Sequence, residues 1–277
     1  MNKITKKIMA TAMSLAILAS SGVVTNDNNA KNILTVNASY TSEPLWYGYI
    51  DGVLYWEYDN HVIIAGCSST KTSITTRSFV HNKPVTDIYM DAFSDMTNLK
   101  SVEITGNVNC LPANAFRNCK NLKTLILPYN FKEVCSNALY GCTNLTTIIV
   151  PGKTTSFNND AFRDFFSSKV TKFNGTIKCL KSSKAQSFAK SKGYKYSAYT
   201  LGDVINDGVI NSSDASEILG AYATLSTGGN AADIMRITGD VDHDGSINAC
   251  DASTVLGYYA KVSTGYKGTI EQYINNR

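Results

Sequence analysis

At 277 residues the chain is long enough for two modest domains, each with a core of its own. Its formal charge of +4 is unevenly spread, because residues 202–277 hold ten acidic against four basic side chains; the basic excess upstream is diffuse, which excludes a concentrated nucleic-acid patch. Seven cysteines, at 67, 110, 119, 135, 142, 179 and 250, are an odd number, and two of them fall in a repeating apolar column, so free thiols are expected rather than a disulfide framework.

The chain opens with Lys3, Lys6 and Lys7 followed by the apolar run Ile8–Ala19, the layout of a secretory signal. The run holds Thr11 and Ser14 and is short for a membrane-spanning helix. Residues 1–38 are therefore read as signal and leader, with cleavage after Ser21 or after Ala38 left open. No cysteine follows the run to accept lipid and Tyr273–Arg277 carries no apolar anchor, so any surface attachment is expected to be non-covalent. Residues 41–66 are rich in Tyr and Trp, and the alternation at Val53-Leu54-Tyr55-Trp56 predicts a β-hairpin cap. An aromatic sugar-binding platform is the alternative there.

A period of 23 residues then sets in. Ala92-Phe93, Ala115-Phe116, Ala138-Leu139 and Ala161-Phe162 are evenly spaced, and so are Ile88, Leu111, Val134 and Phe157, and Met96, Cys119, Cys142 and Phe165. Asn98-Leu99, Asn121-Leu122 and Asn144-Leu145 keep the same step, as do Val102, Leu125 and Ile148, and Ile104, Leu127 and Val150. A unit this short cannot bury its own apolar face, so the units must stack into a solenoid, with one short parallel strand per turn at 102–104, 125–127 and 148–150. These columns resemble the bacterial leucine-rich repeats called BspA-like, over roughly residues 75–199, as at Ala115 to Pro128. The resemblance makes Ser73–Ile88 the opening repeat and Thr176–Tyr199, with Ala185–Lys190, the closing helix. Ser167-Ser168 stands where Asn-Leu is expected, which fits a terminal turn. The repeat domain is placed at 39–199, ending in a very short linker near Thr200-Leu201.

Downstream lie two acidic loops 37 residues apart. The second places oxygen donors at Asp240, Asp242, Asp244, Asn248 and Asp251, a carbonyl at Ser246 and the turn residue Gly245, the spacing with which a hard divalent cation is gathered by six to eight oxygens. The first offers Asp203, Asp207, the Val209 carbonyl, Asn211 and Asp214 around Gly208, but its third position is Ile205, which has no donor. No amphipathic helix is expected before Asp240, so each unit reads as a loop followed by one helix, and His243 is expected to face solvent. Apolar residues at 218, 219 and 222, and at 255, 256 and 259, give each helix a face to bury against its twin.

The duplicated unit, residues 202–277, resembles the dockerin module of cellulosomes, with Tyr-Ala-x-x-Ser-Thr-Gly endings like those of ruminococcal type. The resemblance implies two calcium ions, the first held more weakly, and a scaffoldin cohesin as partner. It implies that the partner is met by Ser212, Ser213, Leu219 and Gly220 in one repeat and by Ala249, Cys250, Leu256 and Gly257 in the other. Since two hydroxyls face one side and a methyl and a thiol the other, a single docking orientation is expected.

The expected fold class is α+β: a leucine-rich-repeat solenoid of 23-residue turns plus a small all-α calcium-binding module. The expected function is that of a secreted, non-catalytic cellulosome component acting in plant polysaccharide degradation. Against a small hydrolase or peptidase stands the lack of a defensible carboxylate pair among the twelve acidic residues before 202. The cysteine-nucleophile candidates, Cys67 with His61 or His81, are lone residues, and no catalytic residue is assigned. The ligand of the repeat domain, protein or carbohydrate, is left open.

Overall fold

A coil of hydrogen-bonded turns accounts for the 23-residue step. The computed structural model describes residues 43–276 apart from 165, 166 and 168, so the expected signal and leader, and Phe165 and Ser168, lie outside the described residues. Strands β1 (Trp46–Ile50), β2 (Val53–Glu57) and β3 (Val62–Cys67) open the structure, followed by β4 (Ser73–Thr75), β5 (Phe79–Val80) and β6 (Lys83–Ile88). β1, β2, β3, β6 and β5 form one sheet in that order. Its tight turns, Asp51-Gly52 and His81-Asn82, have positive φ at both central residues, the form that matches strand twist in a hairpin. Tyr55, Trp56 and Tyr58 are buried, so these rings close the end of the core and leave Tyr49 exposed.

Each turn of the solenoid carries two strands, not the single one expected. β7 (Ser101–Glu103), β9 (Thr124–Ile126) and β11 (Thr147–Val150) form one parallel ladder, and the two-residue strands β8 (Cys110–Leu111), β10 (Glu133–Val134) and β12 (Ser156–Phe157) form another. The column Leu111, Val134, Phe157 supplies the inward side chains of the second ladder, whose strands are too short for alternation to reveal them. The recurring polar residues have a structural use. Asn98, Asn121 and Asn144 donate side-chain N–H bonds to the carbonyls of Ser69, Thr97 and Lys120, one turn back, at 2.7–2.8 Å. Cys119 and Cys142 do the same with S–H to Phe93 and Phe116, and the rings of Phe93 and Phe116 stack at 4.8 Å. The Cys119 and Cys142 bonds are buried, where a peptide carbonyl without a partner costs about 1–3 kcal/mol, which gives that column a reason to repeat; the Asn bonds are exposed.

The ladder ends with β13 (Thr176–Leu180), helix α1 (Lys184–Lys192) and β14 (Lys195–Tyr199), making the large sheet β14-β13-β11-β9-β7-β4. Helix α1 is capped by Ser183 at one end and left-handed Gly193 at the other, and its Phe188 stacks on Phe157 to cover the last turn.

Four helices follow: α2 (Ser212–Ser226), α3 (Asp233–Thr238), α4 (Ala249–Ser263) and α5 (Ile270–Asn275). Ala215 and Ile218 of α2 share a buried cluster with Ala252 and Val255 of α4. Leu219, Tyr222, Leu256 and Tyr259 do not: they are 42–46% exposed, because they lie beside the twin-facing stripe rather than in it. A helix does precede Asp240: α3 buries Met235, Ile237 and Thr238, and at six residues it is too short to show a helical period.

The described residues from Trp46 onward form one compact unit, and its second buried cluster joins the repeats to the helices. Ile149 and Leu180 of the large sheet meet Leu201, Met235, Ile237 and Ile270 there. The Thr200-Leu201 segment is therefore packed rather than a free linker, with Leu201 buried and the Gly202 amide donating to the Thr238 carbonyl at 2.9 Å.

Candidate metal centres and partner surface

Both acidic loops are folded by their own carboxylates. In the first, Asp203 accepts from the amides of Asp207 and Gly208 at 3.1 Å each. Asp214 accepts from Val204 and Ile205 through one oxygen and from Asn211 through the other. The second loop repeats the scheme: Asp240 accepts from Gly245, and Asp251 from Val241, Asp242 and Asn248. Asn211 and Asn248 cap α2 and α4, and Asp214 and Asp251 complete the capping boxes, so the last loop residue is also the third residue of a helix. Gly208 and Gly245 turn at φ of 90° and 89°, which a side chain would strain.

The two loops differ in what remains free for an ion. Ligand oxygens of Asp240, Asp242 and Asp244 lie within 4.8 Å of one another; among the described residues no such trio forms at the first loop, where exposed Ile205 holds the third position. Asp240 Oδ1 is buried without a hydrogen-bond partner. Burial, and after it the nearby carboxylates of Asp251 and Asp244, pushes the Asp240 carboxyl up to about 7. Burial pushes Asp251 up to about 6 and raises Asp203. Crowded carboxylates with an orphaned oxygen are the donor chemistry of a hard cation such as calcium. Asp207, Asn211, the exposed Val209, and Ser246 with Asn248 stand at the remaining loop positions.

His243 does not face solvent. Its left-handed backbone, φ 64°, turns the ring back so that Nδ1 lies 2.9 Å from the Asp240 carbonyl, and the ring stacks on Tyr129 at 3.6 Å. Desolvation in that stack holds its pKa below the usual imidazole value.

The expected partner residues are brought to the surface. Ser212, Ser213, Leu219 and Gly220 are exposed on α2, and Ala249, Cys250 and Leu256 on α4. Gly257 is half-buried, because the C-terminal α5 leans on it: a Cβ there would sit 2.4 Å from the Tyr273 hydroxyl, whereas Gly220 faces open space. Ala249 and Cys250, with Asp242, Ser253, Thr254 and Ile274, line an open pocket of about 480 Å³.

Sequence reasoning missed how the helices seat on the repeats. One outward row of the large sheet runs Thr75, Glu103, Ile126, Ile149, Lys178, Ser197, in register from strand to strand. Helix α3 spans it: Arg236 pairs with Glu103, Asp233 pairs with Lys178 at 2.6 Å, and Met235 and Ile237 share a buried cluster with Ile149. Lys153 pairs with Glu271 of α5 at 2.9 Å. The signal was present, since Leu125-Ile126-Leu127 and Ile148-Ile149-Val150 are unbroken apolar runs and thus strands covered on both faces, unlike Val102-Glu103-Ile104.

The cysteine-nucleophile candidates are not assembled. Burial pushes the Cys67 thiol up to about 11, His61 stacks on Tyr58, and His81 lies 2.6 Å from Glu57.

Residues 66–195 match the BspA type leucine rich repeat region in six copies, and residues 201–258 match the dockerin type I domain. The chain is thus a repeat region of the first family followed by a dockerin of the second, both of them interaction modules. No curated protein matches it. Among solved structures, a T. pallidum leucine rich repeat protein is 19% identical over 55% of this chain and 61% of its own, at a TM-score of 0.39. A leucine rich cell surface protein from Faecalibacterium prausnitzii is 21% identical over 55% of this chain and 40% of its own, at 0.34. The chain so spans less than two thirds of either.

Proposed function

We propose that the protein is a secreted, non-catalytic cellulosome component, with residues 1–38 as removable leader, 39–199 as an interaction domain and 202–277 as a calcium-dependent cohesin-binding module. The observation that carries this is the pair of carboxylate loops, each leading into a helix that exposes the same Leu-Gly-x-Tyr face, at Leu219 to Tyr222 and Leu256 to Tyr259. In solution such apolar side chains are costly; against a cohesin they bury, and each fully buried leucine contributes about 1.5–3 kcal/mol. The loops fix the helix starts, so calcium at both, with the first ion held more weakly, sets whether the face exists.

The faces are not equivalent. Ser212-Ser213 with open Gly220 offers hydroxyls and space; Ala249-Cys250 with Gly257 under Tyr273 offers an apolar pocket rim. This supports one preferred orientation, since a hydroxyl buried without a partner costs about 1–3 kcal/mol. The repeat domain then displays a second binding surface for a plant-fibre, protein or cell-wall ligand. The test is calorimetry of the mature protein against a panel of purified cohesins, with calcium and with EGTA. Binding to at least one cohesin, abolished by EGTA and weakened unequally by Ser212→Ala/Ser213→Cys and by Ala249→Ser/Cys250→Ser, is expected; equal small losses defeat the single orientation, and no binding to any cohesin defeats the module's assignment.

A further inference from the structure

Five of the seven cysteines have a settled place. Cys67, Cys119, Cys142 and Cys179 are buried, two of them donating S–H to backbone, and Cys250 stands exposed on α4. Cys110 and Cys135 are different. They sit on neighbouring turns of the small parallel ladder, where Leu111 pairs with Val134 and the Cys135 amide donates to the Leu111 carbonyl at 2.9 Å. Leu111 and Val134 point into the core, so the cysteines flanking them turn outward together, half-exposed, with their sulfurs 3.2 Å apart.

We propose that Cys110 and Cys135 are an oxidation site, a vicinal dithiol that closes to a disulfide by exchange with a small-molecule disulfide. An S–S bond of about 2.0 Å requires the sulfurs to approach by about 1.2 Å; because Cys110 stands opposite Glu133 and Cys135 lies just past the end of β10, closure combines χ1 rotation with a local shift of the backbone at Cys135. The backbone bonds of the ladder already hold the pair in place, so little chain entropy is lost on closure. The bridge joins residues far enough apart in sequence to constrain the unfolded chain.

The exchange balances in two steps. The Cys135 thiolate attacks one sulfur of the small disulfide, forming a mixed disulfide and expelling one thiolate. Cys110, deprotonated, then attacks the Cys135 sulfur and expels the second. Two protein thiols lose two electrons to the small disulfide, and their two protons end on the two released thiols. The two sulfurs share one hydrogen bond in which either can be the donor, so the exchange balances equally with the roles of Cys135 and Cys110 reversed.

The test equilibrates the full chain, calcium loaded, with graded ratios of oxidised to reduced glutathione, followed by acid quench, alkylation and peptide mapping. The expected result is a Cys110–Cys135 link with loss of two of seven thiols, complete at a ratio at which Cys250 remains mostly unmodified, together with a higher Tm. Cys110→Ser should instead accumulate glutathione on Cys135, and Cys250→Ser should leave the link unchanged. Glutathione on both cysteines without a link, or Cys250 modified while the pair stays reduced, overturns the proposal; because the mapping is made on the unaltered chain, a variant that misfolds does not shield it.

Discussion

Ile205 occupies the loop position that Asp242 fills in the other repeat, and it is 42% exposed, outside both buried clusters. Replacing it costs the fold little. If the 203–214 loop holds calcium as proposed, Ile205→Asp is expected to add a donor there and tighten binding by roughly tenfold, since ligand charge and count set affinity in such loops. Calorimetry showing two equivalent sites in the unaltered protein would contradict the premise. At the opposite end, Glu57 is a buried carboxylate whose pKa is held low first by its bond to His81 and then by Lys83, 2.7 Å away. A carboxyl depressed on folding stabilises above its unfolded value, near 4.3, and that stability is lost as pH falls through its folded value. Thermal melts between pH 6 and about 3 should therefore show a fall in Tm that Glu57→Gln, less stable at neutrality, shares only in part.

Helix α3 shows what an element can do that its residues separately cannot. Six residues would not hold a helix in water, and the sequence around Asp233 gives no period to recognise. It forms because the sheet beneath supplies an apolar centre at Ile126 and Ile149, flanked by Glu103 and Lys178, whose charges match Arg236 and Asp233. Arg236→Glu should cost on the order of 1–3 kcal/mol by leaving two half-buried acids together, and Glu103→Arg in the same chain should recover much of that. Urea unfolding of both singles and the double reads the coupling. This is also where sequence legibility ends. The 23-residue columns, the loops and the long helices repeat, and repetition makes a pattern readable in a single chain. The α3 contact happens once, between residues 55 to 133 positions apart, and left only the indirect mark of apolar outward positions at 126 and 149. The second ladder was hidden for a different reason: two-residue strands are shorter than one alternation.

Across the whole molecule, the second acidic loop and the repeat domain are parts of one contact. His243 lies within the loop and stacks on Tyr129, α3 leads into Asp240, and α5 is tied to Lys153. Without an ion, Asp240, Asp242 and Asp244 crowd three carboxylates within 4.8 Å, and opening the loop relieves that repulsion at the expense of the His243 stack. Calcium binding and seating on the sheet should therefore favour one another, and any such coupling is reciprocal. Chelation is expected to lower hydrogen-exchange protection in Asp233–Thr238 and at Gly202 along with the loops, while β7, β9 and β11, held by neighbouring turns, keep theirs. In the other direction, Tyr129→Ala should weaken calcium at the 240–251 loop several-fold and leave the 203–214 loop nearly unchanged. If chelation melts the loops but leaves α3 fully protected, the module merely rests against the repeats; if Tyr129→Ala weakens both loops equally, the effect is general destabilisation and the stack carries no coupling.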